Sequence, residues 1–204
     1  MSSEQRERQR LDISRHAVRL FAAQGVAATS GEDIARAAGV SERTLWRHFR
    51  TKESCVEPLL TQVIDAFRAT LRTWPPGVEL TEHLRDAYRP VLDSSSDADI
   101  EAVHAVVRLT RHEPALRAVY LVLGERAEDS FAEALAERAG LPSDGFEIRS
   151  QAAAMSAVFK VATDHLAHDT ADTGLTPGVL HRHHEQLAGA LSLVTRGLSE
   201  KQQG

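Results

Sequence analysis

The chain has 204 residues, of which 42% are hydrophobic and 26% charged, with a formal net charge of −5. That length suits one good core or a small domain with a larger one, and the composition predicts a folded globular protein rather than disorder. Several classes drop out at once. No apolar run approaches the ~18–20 residues of a membrane span. MSSEQRERQR lacks the apolar stretch of a secretory signal. The single cysteine, Cys55, excludes an intrachain disulfide framework. Together these predict a cytoplasmic protein.

Alanine, leucine, glutamate and arginine dominate, and no alternating run of Val, Ile and Thr predicts a strand. Breaks fall at Gly25, Gly31, Gly39, Pro75-Pro76-Gly77, Ser94-Ser95-Ser96, Pro114, Gly140/Pro142 and Thr176-Pro177-Gly178. They predict an all-α fold of about nine helices, over 6–24, 32–38, 42–48, 52–73, 79–92, 97–110, 114–139, 145–168 and 177–198. Helices as short as the second and third are marginal alone and need tertiary packing. The N-terminus therefore reads as a three-helix domain over 1–52, followed by a larger helical bundle over 53–204.

Charge divides at the same place. Residues 1–52 hold ten Arg/Lys against six Asp/Glu, whereas the rest hold fourteen against twenty-three. A basic head on an acidic body suggests that the head meets a polyanion.

The head has the grammar of a helix-turn-helix. Thr29-Ser30 before Glu32-Asp33 gives a capped start with acids in the first turn. Ile34, Ala35 and Ala38 form the inner face, Gly39 ends the helix where φ > 0 is needed, and Val40 is expected to be buried in the turn. Ser41 caps the next helix, with Leu45 and Phe49 four apart on its inner side. Helix 6–24 closes the core through Leu11, Ala17, Leu20 and Phe21. The outer face of SERTLWRHFR then suits double-stranded DNA. Arg43 fits guanine O6 and N7 in a bidentate contact, and Thr44 a base edge or thymine methyl. Arg47 and His48 lie near phosphate, Trp46 offers an indole N–H, and Lys52 adds charge at a helix start.

The span from about Ala17 to Lys52 resembles the TetR-type repressors. The resemblance rests on Leu20-Phe21 with Gly25, Thr29-Ser30, Asp33-Ile34-Ala35, Ala38-Gly39-Val40-Ser41, Thr44-Leu45-Trp46, His48-Phe49 and Lys52-Glu53. It covers the first quarter of the chain. It implies a homodimer on a palindromic operator, base and phosphate contacts from the third helix, and a divergent ligand-binding domain behind. Two positions depart from the pattern. The aromatic at 46 is usually a tyrosine whose hydroxyl meets phosphate, and Trp46 would have to use its N–H. Glu42 suits the helix dipole but faces the polyanion, so a structural role is expected for it.

In the body, helices 145–168 and 177–198 carry small and aliphatic residues over more than one face. The resemblance implies that this pair meets its copy in a four-helix dimer seam; internal core is the alternative. The middle helices, 79–139, would line an effector pocket. Its candidate polar residues are His83, Arg108, His112 and His165, with Trp74, Tyr88, Tyr120, Phe131 and Phe159 as walls. The stretches at 112–117 and 134–141 look like an actinobacterial subgroup that includes mycofactocin-type regulators. That likeness implies an apolar, elongated effector such as an acyl-CoA. Helix 52–73 would transmit the ligand signal, and Pro58 within it is either a hinge or a tolerated bend near the helix start.

Two rival readings stand beside this one. Clustered histidines (His181, His183, His184; His165 with His168) suggest a metal or redox sensor, but a tight site needs a third or fourth ligand, and only Asp164, Asp169, Asp172 and Glu185 are near in sequence. An enzyme is more remote, because no G-x-S-x-G, P-loop or H-E-x-x-H occurs. A sensing Cys55 would need a low thiol pKa. No cofactor is expected.

Overall fold

The computed structural model describes residues 2–75, 77–87, 97–171, 174 and 176–200. Among these lie nine α-helices, one 3-10 turn and no strand. The helices are α1 (Ser3–Gln24), α2 (Gly31–Ala37), α3 (Glu42–His48), α4 (Glu57–Arg72), α5 (Leu80–Ala87), α6 (Asp97–Leu109), α7 (Pro114–Ala139), α8 (Phe146–Asp169) and α9 (Pro177–Glu200). The all-α expectation holds. The helix expected over 52–73 opens instead as a 3-10 turn, Glu53–Val56, before α4 begins at Glu57. Pro58 is thus the second residue of α4, where its missing N–H would have had no intrahelical partner. It is not an internal kink.

The chain forms two compact units. One comprises Met1–Val63 with Asp97–Leu123, the other Ile64–Ser96 with Gly124–Gly204. α4 and α7 each contribute residues to both.

In the first unit α1 packs against α2, the 3-10 turn and α6. Its buried stripe is Ile13, Ala17, Val18 and Phe21, whereas Leu11 and Leu20 are only half-buried. Of the expected row, Ala17 and Phe21 are buried and the two leucines are not. A helix that touches several neighbours buries a wider stripe, set by position on the helix rather than by residue size. The α1–α6 seam is tied by a bidentate ion pair, Arg15 Nε to Asp99 Oδ1 at 2.7 Å and Nη2 to Oδ2 at 2.6 Å. This pairing raises the Arg15 pKa, with the Asp99 hydrogen bond as the largest cause.

The core of the second unit runs through Phe67, Leu71, Trp74, Leu80, Leu84, Leu135, Ile148, Met155 and Leu191. Phe67, Phe131 and Phe159 form an aromatic cluster, with centroids 5.1 Å apart for Phe67–Phe131 and 5.0 Å for Phe67–Phe159. The Arg138 guanidinium stacks 3.5 Å from the Trp74 ring centroid and donates to the Trp74 carbonyl at 2.7 Å. α9 packs on α8 and α5, and Arg85 on α5 grips both oxygens of Glu185 on α9.

Candidate nucleic-acid interface

α2 begins with a reciprocal capping box: Ser30 Oγ accepts from Asp33 N at 3.1 Å, and Asp33 Oδ2 accepts from Ser30 N at 2.9 Å. It ends as the glycine predicted. Gly39 has φ 64, its N–H reaches Arg36 O, and Val40 N–H reaches Ala35 O at 2.9 Å. This pair of bonds is a Schellman closure, which only glycine enters without strain. Val40 is half-buried rather than buried. Ser41 then caps α3, its Oγ accepting from Thr44 N at 3.2 Å. Leu45 and Phe49 are 0% and 3% exposed and seat the helix. Two short helices are held here because both ends of the turn are capped and the inner side chains are sealed.

Helix geometry puts Arg43 and Arg47 on one outer row of α3, at i and i+4, and Arg50 follows the helix beyond Phe49, the extended residue that ends it. All three are exposed. Thr44 is half-buried, its hydroxyl 3.0 Å from that of Ser41. The row offers guanidinium forks that suit phosphate and guanine edges alike.

Other sequence-selected residues are turned toward the protein. Thr29 is 1% exposed and donates to Gly25 O at 2.8 Å, so its hydroxyl is a structural latch and does not face outward. Lys52 donates to Val26 O at 2.7 Å and Thr29 O at 2.8 Å. Two of its three protons therefore fasten the α1–α2 connection, and one remains for a phosphate. His48 Nε2 lies 3.0 Å from Gln9 Oε1, and burial, with Arg47, Arg10 and Arg6 nearby, lowers the pKa of its ring. At neutral pH it is a polar contact rather than a cation. Arg10, which the sequence did not single out, sits over the Phe49 ring at 5.4 Å and pairs with Glu57 at 3.8 Å. A hydrophobic period cannot reveal such a contact, which joins three elements.

The effector candidates divide between the two units. Arg108, His112 and Tyr120 fall in the first; Trp74, His83, Phe131, Phe159 and His165 fall in the second. Arg108 pairs with Glu101 at 2.6 Å, His112 is exposed in a turn, and Tyr120 is half-buried. His83 donates to Thr70 O at 2.8 Å, and the Trp74 indole N–H to Val78 O at 2.7 Å. Phe131 is fully buried in the aromatic cluster, so it is core rather than pocket wall. Tyr88 lies outside the described residues. His165 is exposed, pairs with Asp169 at 2.8 Å, and borders an apolar groove of about 390 Å³ between α8 and α9. Val158, Val161, Ala162, His183 and Ala190 also line this groove.

Of the histidine and carboxylate candidates for a metal, Asp172 lies outside the described residues. No group of three or more His, Cys, Asp or Glu is placed to hold a metal among the described residues. Cys55 is fully buried, and burial pushes its thiol up to about 12, the opposite of a sensing thiolate. Among the described residues no helix is long and apolar enough to cross a membrane.

Known proteins decide the family. Residues 13–59 match the bacterial regulatory proteins of the tetR family, and residues 78–192 match the MftR C-terminal domain. The chain belongs to the TetR family. The HTH-type transcriptional regulator TcmR of Streptomyces glaucescens is 35% identical over 162 residues, 76% of this chain and 72% of that protein. A Mycobacterium tuberculosis protein named as the mycofactocin biosynthesis transcriptional regulator MftR is 27% identical over 194 residues, 94% of this chain and 91% of that one. Salmonella enterica GusR shares the fold, with a TM-score of 0.58 at 19% identity over 95% of this chain and 96% of that one. This TetR-family chain is therefore a ligand-responsive, DNA-binding transcriptional regulator, and α1–α3 are its helix-turn-helix.

Proposed function

We propose that the chain represses transcription in the cytoplasm as a homodimer on a palindromic operator, and that a small apolar or acyl-type effector releases it. Residues 1–52 act as the DNA-binding domain and residues 53–204 as the ligand-binding and dimerisation domain. The observation that carries this reading is the exposed Arg43–Arg47 pair on a helix whose opposite side is sealed by Leu45, with Phe49 buried at its C-terminal end. Arg43 and Thr44 read base edges; Ser41, Arg47, His48 and the free proton of Lys52 meet phosphates.

The dimer seam is the open face of α8 and α9. Its apolar groove and the outward Val161 and Leu193, 64% and 63% exposed, support that assignment. A two-fold axis there lets two recognition helices meet major grooves ~34–36 Å apart. The match to the MftR C-terminal domain supports a shared effector class with that subgroup. Effector binding shifts the pair of α3 helices out of register, with α4 as the transmitter. Linkage then requires DNA to weaken effector binding by the same factor, ~1–3 kcal/mol.

Protection mapping of the DNA flanking the chain's own gene, with and without an acyl-CoA series, tests this. A two-fold-symmetric footprint lifted by one member of the series is expected. No footprint would refute the operator role. A footprint that only another ligand class lifts would refute the acyl effector.

A further inference from the structure

Gly31 opens α2, yet its φ is not positive, so no turn requires a glycine there. By propensity any ordinary residue would favour the helix more. The reason lies across the turn. A β-carbon at Gly31 would stand 2.1 Å from Cζ2, 2.7 Å from Cη2 and 3.2 Å from Cε2 of Trp46. The six-membered edge of the indole therefore occupies the space that a side chain at 31 would fill.

Trp46 holds an unusual place on α3. Leu45, with Phe49 at the helix end, faces inward and Arg43 and Arg47 face outward; Trp46 falls on the flank between them. The inner pair fixes how deeply α3 sits, but a single row leaves the rotation of a seven-residue helix weakly set. A rigid ring braced against the first residue of α2 sets that rotation. At 43% exposed, Trp46 is partly covered rather than turned fully outward.

We infer that Trp46 and Gly31 form a matched positioning pair, and that the indole on the glycine sets the direction in which Arg43 and Arg47 address DNA. Trp46 is thus a positioning residue and not a phosphate donor. The inference rests on α3 being the DNA-reading helix. It goes further by making base preference depend on two residues that touch no base.

A double-mutant cycle on the full chain tests it. The probe is the duplex that the wild-type chain enriches most from a randomised pool. Gly31→Ala should lower affinity for that duplex tenfold or more with an unchanged melting temperature, although alanine is the better helix former. Trp46→Phe removes both the indole N–H and the atoms that meet the β-carbon. It should cost less than fivefold, and in its background Gly31→Ala should cost less than threefold. If Gly31→Ala costs the same in both backgrounds, or costs nothing, the pair is not matched and the inference falls. A loss by Trp46→Phe larger than that of Gly31→Ala, with a reduced salt slope, would make the N–H a phosphate contact and overturn it too. Arg43→Ala run alongside separates the layers. If it keeps full affinity, the reading of α3 fails and takes the inference with it; if it loses affinity, the cycle judges the pair alone.

Discussion

His104 is 4% exposed on α6, and its Nδ1 has no hydrogen-bond partner among the described residues. Burial pushes the ring down to about 4 from its ordinary 6.5; Glu101 opposes the shift and Arg108 adds to it. The unfolded chain thus binds this proton first. The neutral histidine contributes its stability fully above pH 6.5 and loses it as pH falls toward 4. Replacing it with leucine should reduce the stability lost between pH 7 and pH 4.5 by about 2 kcal/mol, read from denaturant melts at those two pH values. Equal slopes would show that the imidazole is hydrated. Residue-level roles were the least legible part of the sequence. Arg43 and Arg47 could be placed on the outer row by counting along the helix. That Thr29 and Lys52 turn inward depends on where the α1–α2 connection runs, which no local pattern encodes. Nor could sequence decide between packing and donation for Trp46, because the partner that decides, Gly31, reads locally as a helix breaker.

Among elements, α2 and α3 were read to within a residue because each carries its own punctuation: Ser30 and Ser41 start them, and Gly39 stops one; α1, expected from residue 6, instead starts at Ser3 under a Ser2–Gln5 capping box. The start of α4 was missed. Residues 53–56 have helical composition, and only tertiary packing of buried Cys55 and Val56 makes them a 3-10 turn. The partnership of α1 with α6 was invisible as well, since 84 residues separate Arg15 from Asp99. Asp99 is only 7% exposed, so Arg15→Ala would leave a largely buried carboxylate without its guanidinium. A loss of ~2–3 kcal/mol is expected, below the full buried-pair range because Arg15 itself is partly solvated. Asp99→Asn should cost less. Thermal melts of the two variants check this, and equal small losses would show the clamp to be incidental.

For the whole molecule, the division of charge noted in the sequence has a physical use. A basic head steers toward DNA, and an acidic body discourages non-specific wrapping. In the proposed homodimer two such heads are held by the α8–α9 seam. Val161→Asp with Leu193→Asp should yield a monomer in sedimentation while keeping the helical circular dichroism, and operator affinity should fall with it. A dimer that survives both charges would move the seam off α8 and α9. The fold class was legible because helical periodicity and breaks repeat along the whole chain. Sequence distance did not show that Arg108 and Phe131, both expected to line an effector pocket, belong to different compact units.

The most direct measurement is selection from a randomised duplex pool by the wild-type chain and by Arg43→Ala. The account predicts a palindromic motif for the wild type. For the variant it predicts a loss of ~1–3 kcal/mol, with preference relaxed at one position of each half-site. No enriched motif, or an identical motif and affinity for the two proteins, would contradict it.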